Sequence, residues 1–552
     1  MTGKDAPMTR MTAVFAFLAC LSASGAPWSG AIEPLPGEKW WGGDVHYGSS
    51  MPYADTRKPI DLSTPREAAM PLLVSNRGRY VWSDRPFAYA FSNGVLRIVS
   101  ARERLEPVQA GATLKEAYLA ACAKHFPFDG RIPAELLFTK PQWNNWIEIA
   151  IQGKNQATVD AYTEALAKSG FPCGVYLMDG GWLTHQGSYR FNADFPDPKG
   201  LFRRIHDHGW KAMIWTAHFI SPDSLEAKRL RFGRGYMIDG LDYLAYSKFS
   251  GQCRNWPAAG RKAPGVFWWW SGVSSTWDLT YVPARAHYLK TLTDFAAEYG
   301  VDGFKFDGGD ASSLSDGLRF HDPNMEAVDF VHEYVRLGAD HFPYNEFRVG
   351  FRNGGMPVMT RLLDLVHSWE ALARASQQVQ GAGLAGAPYC VADMVGGGDA
   401  MTYRPGSFFS EKLFIRFAAL QALQPMMQFS AAPWRYLSPK GVAECRAFAE
   451  LHCAFGPCIL DLARHAAKTG EPIVRTMEYE FPGQGFDRSM SQFMLGTKWL
   501  VAPVVREDDS VVVSLPAGTW LDDLGGMHAG PKELTLRDVP TARLPRYERM
   551  PE

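Results

Sequence analysis

Two charged residues interrupt an apolar run in the middle of the chain, "VDGFKFDGGD" at 301–310. Because alternate residues of a strand share one face, Lys305 and Asp307 point together, away from the flanking phenylalanines. A buried strand has no need of charge, whereas a carboxylate near an ammonium group stays ionised and can act as a nucleophile. We therefore predict that Asp307 ends a strand at a catalytic site and that Lys305 supports its charge.

Three more aspartates end predicted strands in the same way, namely Asp179, Asp364 and Asp393. Barrel enzymes keep their chemistry at the carboxyl ends of their strands, so four aspartates placed there predict one shared site. Structural ion pairs are the alternative explanation. Aromatic residues make up 13% of the chain, and paired carboxylates in an aromatic-rich barrel favour glycoside hydrolysis.

Other catalytic chemistries lack a sequence signal. The chain has no HExxH, no EF-hand loop and no histidine pair at ligand spacing, so we expect neither a metal nor a cofactor. The glycine-rich "DMVGGGD" lacks both the phosphate-loop and the dinucleotide-binding patterns. The cysteines are scattered without CxxC spacing; Cys453 and Cys458 could pair, but buried free thiols are the preferred interpretation.

The elements that must position these residues alternate between short apolar runs and longer helical patterns. Eight such runs predict an α/β fold, a (β/α)8 TIM barrel over residues 139–469 with a long insertion at 218–282. The predicted strands are 145–150, 174–179, 211–217, 303–307, 348–352, 359–364, 388–393 and 425–430.

Both flanks of the barrel are predicted to be β-rich. Residues 27–138 are interpreted as an N-terminal β-sandwich, with a hairpin around the Ser-Asn-Gly turn at 92–94. Residues 470–552 carry β-runs with Gly and Pro turns and no long helix, which predicts a C-terminal β-sandwich domain.

Length, charge and the N-terminus bound the class of protein. The 552 residues carry a net charge of −1, which gives no reason to expect binding to nucleic acid or to an anionic membrane. Residues 1–26 combine basic residues, a short apolar run and small residues, as a secretory signal peptide does; an N-terminal core helix is the alternative. We expect a secreted or periplasmic protein without a membrane span in the mature chain, and lipoprotein anchoring at Cys20 is the less favoured variant.

The motifs as an ordered set resemble glycoside hydrolase family 31, in the branch of the myogenesis-regulating glycosidase and bacterial α-galactosidases. "DGFKFDGGD" resembles the nucleophile strand of that branch, and the likeness runs from about residue 40 to the C-terminus. The resemblance implies a β-sandwich, a (β/α)8 barrel and C-terminal β-domains. The other matching stretches, in order, are "KAMIWTAHFISPDS", "FWWWSG", "FRVGFR", "APYCVADMVGGGD", "LFIRFAALQALQPMMQFSAAPW", "TGEPIVRTMEYEFP" and "LGTKWLVAPVV".

The resemblance also implies roles for single residues. It implies Asp307 as the nucleophile and Asp364, in "RLLDLVHSW", as the general acid/base. Further residues would contact or surround the sugar: Asp179, Trp215, His218, Trp269, Trp270, Lys305, Arg348 and Asp393. Alternatives stay open for several of them, because an arginine can form a structural ion pair, an aspartate can orient loops, tryptophans can be core and a histidine can hydrogen-bond a loop.

The implied activity is that of a retaining exo-α-glycosidase acting on an oligosaccharide or glycoconjugate with a terminal α-galactoside-like or α-glucoside-like sugar. The chain departs from the branch at Gly180, where a second acid is usual, at Asp310 in place of Glu, and in "EALARA" at 370–375. A different α-galactosidase clan, a lyase or transglycosylase, and a non-catalytic carbohydrate-binding or chaperone-like protein are the alternatives.

Overall fold

The computed structural model describes residues 28–100, 103–240, 265–269, 272–314 and 318–551. The predicted signal peptide at 1–26, with Cys20, and the predicted pocket residue Trp270 lie outside the described residues. Within the predicted barrel, the gaps fall in the insertion at 218–282 and at 315–317.

The N-terminal domain consists of two sheets and one long helix. One sheet has the order β1-β7-β6-β3, and β4, β5, β8 and β2 belong to the other. The predicted hairpin is present: Ser92 pairs with Val95 across a turn in which Asn93 and Gly94 both have positive φ, as a tight hairpin requires. The elements are β1 Trp28–Ile32, β2 Trp40–Asp44, a 3-10 helix Val45–Ser50, β3 Ile60–Asp61, β4 Ala68–Ser75, β5 Arg79–Trp82, β6 Phe87–Ser92, β7 Val95–Ser100, β8 Val108–Gln109 and α1 Leu114–His125.

Eight parallel strands form the barrel, and the predicted TIM-barrel fold is confirmed. The hydrogen-bonded order is β20-β9-β10-β11-β15-β16-β18-β19. The N–H of Val395 donates to the carbonyl of Gln428 over 2.7 Å and links the last strands, so the sheet is nearly closed. The strands of this region are β9 Gln142–Asn144, β10 Val175–Met178, β11 Lys211–Ala217, β12 Phe219–Ile220, β13 Phe267–Trp269, β14 Gly272–Thr276, β15 Gly303–Asp307, β16 Tyr344–Phe347, β17 Gly350–Phe351, β18 Thr360–Arg361, β19 Cys390–Val391 and β20 Gln428–Phe429.

Helices follow most of the barrel strands. The predicted boundary at 138/139 falls within a short helix, α2, three residues before the first barrel strand. The helices are α2 Leu136–Thr139, α3 Trp146–Gln152, α4 Gln156–Ser169, α5 Pro198–Asp207, α6 Leu225–Arg234, α7 Val282–Tyr299, α8 Ala327–His341, α9 Trp369–Leu384, α10 Glu411–Gln421, α11 Pro433–Tyr436 and α12 Pro439–Thr469, with 3-10 turns at Ala311–Leu314 and Ala400–Tyr403.

Two predicted strands are wrong in position. "NWIEIA" at 145–150 lies mostly in helix α3, and the first barrel strand is β9, just before it. The apolar, acidic alternation of Ile147, Glu148 and Ile149 looked like a strand, but all three residues are buried in a helix. "RVGFR" at 348–352 follows the fifth barrel strand, which is β16, so Arg348 begins the loop at the barrel mouth.

A small sheet from the insertion covers one side of the barrel mouth. Strand β12 pairs antiparallel with β14, and β14 pairs antiparallel with β13. This arrangement places Trp269 of β13 against Phe219 of β12, with ring centroids 4.2 Å apart.

The N-terminal domain joins the barrel through a strand pair. Strand β17, just after Arg348, pairs in parallel with β4, so that Gly350 lies opposite Ala68 and Phe351 opposite Ala69. The start of β4 therefore lies near Arg348, at the carboxyl end of the barrel strands.

The C-terminal sheet domain has six strands in the order β21-β22-β23-β26-β24-β25. Among the described residues, no helix combines the length and the apolar character needed to cross a membrane. Six cysteines in the described ranges, including Cys453 and Cys458, are free thiols. The elements are β21 Val474–Arg475, α13 Met477–Glu480, β22 Phe493–Leu495, β23 Trp499–Val501, β24 Val511–Asp522, β25 Met527–Leu536 and β26 Arg546–Arg549.

Candidate active site

Asp307 ends strand β15, as predicted, and both of its carboxylate oxygens are held by donors. Oδ1 accepts from the Gly308 N–H at 2.8 Å and from Nε of Arg348 at 3.2 Å. Oδ2 accepts from Nε1 of Trp215 at 3.0 Å. The side chain is 16% exposed, so it is largely withdrawn from water yet reachable from the mouth of the barrel.

Charge compensation keeps this carboxylate ionised. Burial alone would raise the pKa of Asp307, but Arg348, Lys305 and the Trp215 and Gly308 hydrogen bonds outweigh burial and hold the pKa well below its usual range. The guanidinium group of Arg348 also donates two hydrogen bonds to the carboxylate of Asp310, at 2.7 and 3.2 Å. An arginine already anchored by one carboxylate presents its remaining N–H groups to Asp307 in a defined geometry.

Lys305 faces the barrel interior, but its direct partner is Asp179. The Nζ of Lys305 donates to Oδ2 of Asp179 over 2.7 Å, and both side chains are buried. Burial lowers the pKa of Lys305, but the nearby carboxylates, chiefly that of Asp179, raise the pKa by more than burial lowers it. The net shift is therefore upward, and the ammonium group stays charged. Lys305 therefore supports Asp307 electrostatically while it pairs directly with Asp179.

His218 shapes the loop that follows Asp307. It is buried, and its Nε2 accepts from the N–H of Gly309 at 3.0 Å, so Nδ1 carries the proton toward Oγ1 of Thr276 at 2.7 Å. Burial lowers the pKa of His218 to about 3, which keeps the ring neutral despite the opposing effect of Asp307. A side chain at Gly308 would collide with the ring of Phe219, and Gly308 has positive φ, so this turn requires glycine. The predicted alternative, a histidine that hydrogen-bonds a loop, describes the position of His218.

Asp364 lies beyond the end of strand β18 and is the exposed carboxylate of the site. Its side chain is 49% exposed, and its Oδ1 accepts from Nη1 of Arg361 at 2.8 Å. Arg361 is itself buried and lies within electrostatic range of Asp307. The buried guanidinium group of Arg361 thus interacts with both carboxylates, by a hydrogen bond with the exposed Asp364 and at longer range with the enclosed Asp307.

Sequence reasoning did not single out Arg361 or its second partner, Glu346. Nε of Arg361 donates to Oε1 of Glu346 at 3.1 Å, and Oε2 of Glu346 accepts from the amides of Gln142 and Gln428. These side chains come from strands on both sides of the barrel interior. The alternation argument used for Lys305 could have found Arg361, which lies in the predicted strand 359–364. It could not have found Glu346 or Gln142, because they lie outside the predicted strands 348–352 and 145–150.

Asp393 is fully buried and serves as a loop anchor. Its Oδ1 accepts from Nη1 of Arg361 at 2.6 Å, and its Oδ2 accepts from the N–H groups of Leu365 and Gly398, each at 2.7 Å. Burial raises the pKa of this carboxyl, whereas its partners are donors that favour the charged form. The predicted alternative that Asp393 orients loops matches these contacts.

The glycines of "DMVGGGD" allow the loop after strand β19 to pack closely against the loop that carries Asp364. A Cβ added at Gly398 would lie 3.0 Å from Oδ2 of Asp393 and 3.1 Å from Cγ of Asp364. At Gly397, a Cβ would lie 2.5 Å from the carbonyl oxygen of Leu365, and Gly397 has positive φ. The glycines of this motif are therefore needed because two loops approach each other closely next to Asp364. The structure gives no reason to assign the motif to phosphate binding.

Two predicted aromatic residues form one wall. Trp215 is buried beside Asp307, and its ring is stacked with that of Trp269, with centroids 6.3 Å apart and an interplanar angle of 23°. Gly180, where the resemblance expects an acid, lies against this wall, because an added Cβ would come within 3.3 Å of the Trp215 ring. A side chain at position 180 would therefore require the Trp215 ring to shift by a few tenths of an ångström.

The arrangement can support double displacement at an acetal carbon. It offers an ionised, enclosed aspartate as the nucleophile and a second, exposed aspartate within reach of solvent and of a leaving group. Within the described residues, no group of histidine, cysteine and acidic side chains is placed to hold a metal ion.

Comparison with known proteins agrees with this geometry. Residues 141–347 match the model of the glycosyl hydrolases family 31 TIM-barrel domain, and residues 470–550 match the family 31 C-terminal domain. The "Myogenesis-regulating glycosidase" of Mus musculus is 28% identical over 416 residues, 72% of this chain and 54% of the relative. The "1,3-alpha-isomaltosidase" of Kribbella flavida is 24% identical over 402 residues, 68% of this chain and 53% of the relative. The chain spans about half the length of these relatives.

Solved structures show the same fold. A family 31 dextranase from Flavobacterium johnsoniae, complexed with glucose, superposes with a TM-score of 0.77 at 16% identity, over 96% of this chain and 67% of the other. A family 31 α-xylosidase from a soil metagenome, complexed with xylose, gives a TM-score of 0.77 at 18% identity, over 95% and 79% of the two chains. With both family models and the barrel architecture in agreement, this chain belongs to glycoside hydrolase family 31.

Proposed function

We propose that this protein is a retaining exo-α-glycosidase that works through a glycosyl-aspartate intermediate. The observation that carries the proposal is the pairing of Asp307, enclosed and ionised by Arg348 and Trp215, with the exposed Asp364. Family 31 membership and the α-glycosidases among the relatives support it.

In the first step an Asp307 oxygen attacks C1 of the sugar. The bond from C1 to the leaving oxygen breaks, and the proton of Asp364 passes to that oxygen, so that an alcohol departs and a glycosyl ester remains. We assign the attack to Oδ2, because Oδ1 is held by two donors and Oδ2 by one. In the second step Asp364 removes a proton from water, the water oxygen bonds to C1, and the ester bond breaks to regenerate Asp307. Retention by this route requires carboxyl groups about 5–5.5 Å apart.

The sugar is proposed only as a class: a terminal α-linked hexose or pentose on an oligosaccharide or glycoconjugate. Relatives are named as an isomaltosidase, an α-xylosidase and an α-glucosidase. Gly180 removes the second acid that the resemblance expects near the sugar, and it leaves the Trp215 ring in that place. For this reason we propose a sugar that needs fewer polar contacts there, and α-galactoside, α-glucoside and α-xyloside are the candidates to compare.

A secreted or periplasmic location is proposed on the composition of residues 1–26. N-terminal sequencing of the mature protein after expression in cell fractions tests it, and recovery of an intact N-terminus in the cytosol would contradict it.

The test of activity is a panel of aryl α-glycosides that includes α-galactoside, α-glucoside, α-xyloside and α-N-acetylgalactosaminide. We expect one sugar to be released with its initial product in the α configuration, and D307N to lose turnover. A β-configured initial product, or an unsaturated product, would replace the proposal with an inverting enzyme or a lyase. Binding without turnover of every substrate would favour the non-catalytic alternative.

The segment "EALARA" at 370–375 departs from the family pattern, and this departure suggested the non-catalytic alternative. In the structure the segment is helical. Helix α9 begins at Trp369, and residues 370–375 form its first turns. Oγ of Ser368 caps the helix by accepting from the N–H of Ala371 at 3.1 Å. The departure in sequence therefore lies in a capped helix.

A further inference from the structure

The loop that carries Asp364 is held on both sides by buried carboxyl groups from two different domains. On one side, the N–H of Leu365 donates to Asp393 of the barrel at 2.7 Å. On the other side, the N–H of Leu363 donates to Oε1 of Glu67 at 3.0 Å. Glu67 belongs to the N-terminal domain, outside the barrel that carries the two catalytic aspartates.

The strand pairing explains how Glu67 reaches the barrel mouth. Glu67 precedes strand β4, and β4 pairs in parallel with β17 two residues after Arg348. The side chain is 1% exposed, and its Oε2 is buried without a hydrogen-bond partner in the described part of the chain. Burying a glutamate with only one hydrogen-bonded oxygen costs free energy of folding. Side-chain packing alone does not explain why a glutamate stands at this position.

Two more buried polar atoms without a described partner belong to residues at the contact between the N-terminal domain and helix α9. Nδ1 of His46 lies 4.0 Å from Oε1 of Glu67 and is itself buried without a described partner. Gln378 of helix α9 donates to the carbonyl of His46 at 2.9 Å, while its own Oε1 is also unpartnered within the described ranges. The hydrogen bond of Gln378 therefore links helix α9 to the segment that carries His46, whose ring lies against Glu67.

The charged groups that act on Glu67 come from both domains. They are Asp44 in its own domain, Arg348 after strand β16 and Arg374 on helix α9, and Nδ1 of His46 lies 4.0 Å from its carboxyl group. Burial raises the pKa of Glu67 to about 8, against the lowering effects of Leu363, Arg348 and Arg374. Burial also lowers the pKa of His46 to about 4, so the contact between the two side chains is not an ion pair at neutral pH.

We propose that Glu67 is a positioning residue for the general acid/base, acting from the N-terminal domain through the N–H of Leu363. A carboxyl group that is neutral at neutral pH can hold this N–H without adding a second negative charge beside Asp364, whose charge must change twice in each catalytic cycle. This inference rests on the proposed function, since it needs Asp364 to be the acid/base.

Three variants separate positioning from folding. E67M keeps the length of the side chain and removes the acceptor, whereas E67Q keeps an oxygen acceptor for the N–H of Leu363. E38M is the matched control, because Glu38 is a buried glutamate of the same domain that bonds to Arg79 and Ser75 away from the barrel.

The first readout compares an alkyl α-glycoside with the α-glycosyl fluoride of the same sugar, since the fluoride needs little protonation of its leaving group. We expect E67M to lose about tenfold more kcat/KM on the alkyl glycoside than on the fluoride, a fraction of the ~10²–10⁴-fold that general acid catalysis supplies. E67Q should restore most of the loss, and E38M should not change the ratio. Equal losses on both substrates, no loss in E67M, or the same ratio change in E38M would overturn the proposal.

The second readout does not depend on turnover. Amide hydrogen exchange at Leu363 should be slow in the wild type and in E67Q and faster in E67M. If the wild type cleaves no α-glycoside but shows this exchange pattern, the proposed function fails while the anchor stands. If Leu363 exchanges at the same rate in all variants, the anchor itself is refuted.

Discussion

The indole N–H of Trp215 donates to Oδ2 of Asp307 over 3.0 Å, and the opposite oxygen of Asp307 takes the bonds from Arg348 and Gly308. Trp215 thus forms a wall of the pocket and is also a direct hydrogen-bond partner of Asp307, the proposed nucleophile. Its removal should change the ionisation of Asp307 as well as the shape of the site.

Replacing Trp215 with phenylalanine removes this donor and keeps an aromatic ring. Because the hydrogen bond contributes to the lowered pKa of Asp307, the pKa should rise toward its ordinary value. The acidic limb of kcat/KM should therefore move to higher pH, and kcat should fall by about 10–100-fold. W268F is the control, since Trp268 is 76% exposed on the neighbouring strand β13. An unchanged acidic limb in W215F would contradict the role of Trp215.

Replacing Lys305 with methionine leaves Asp179 charged and without its buried partner. Breaking a buried ion pair in this way costs about 3–5 kcal/mol in the free energy of unfolding. The double variant K305M/D179N should recover part of that stability, and activity should stay low because the nucleophile has lost a nearby cation. Denaturant unfolding of the single and double variants measures the coupling; purely additive losses would show that the two side chains do not act as a pair.

Replacing Gly398 with alanine tests the close approach beside the acid/base. The new methyl group would meet Asp393 at 3.0 Å, Asp364 at 3.1 Å and Cε of Met394 at 2.7 Å. The methionine can move, but the two carboxyl groups are held in place, so we expect kcat to fall at least tenfold with little change in melting temperature. The prediction is wrong if activity and melting temperature fall together.

Replacing Asp393 with asparagine should be costly despite the similar shape. Both oxygens of Asp393 accept from N–H donors, so the amide nitrogen of asparagine must face either Arg361 or two backbone N–H groups. We expect a loss of about 1–3 kcal/mol in stability together with a slower glycosylation step. A crystal structure and a denaturation curve of D393N check this, and wild-type values for both stability and rate would argue against the anchor.

The sequence allowed prediction of the elements in which pattern and chemistry coincide. "GFKFD" forms the predicted strand, with Lys305 facing the interior and Asp307 at its end, because side-chain alternation is a local property. "NWIEIA" misled because the same local pattern, three apolar residues around one acid, also fits one buried turn of a helix. For residues at or just beyond the ends of the short strands, such as Asp393, the local pattern carries no information. Their position in the site could be predicted only because they are acidic.

The hydrogen-bond and ion-pair partners of the charged residues could mostly not be predicted from the sequence. Lys305 meets Asp179, which lies 126 residues away in sequence, and Glu67 meets Leu363 across 296 residues. Arg361 carries a local signal, an arginine within an apolar strand, and the alternation argument would have found it. Glu67 in "STPREAAM" carries none, since nothing local marks it as buried.

The parallel pairing of Gly350–Phe351 with Ala68–Ala69 has a consequence for how the chain can be divided. A fragment that begins at the first barrel strand would expose an unpaired strand edge beside the nucleophile loop and would lack the carboxyl group that holds Leu363. Shuffling the barrel onto another N-terminal partner would therefore require that partner to supply both the strand and the glutamate. The site around Asp307 and Asp364 thus depends on contacts from two domains, and the barrel supplies only part of them.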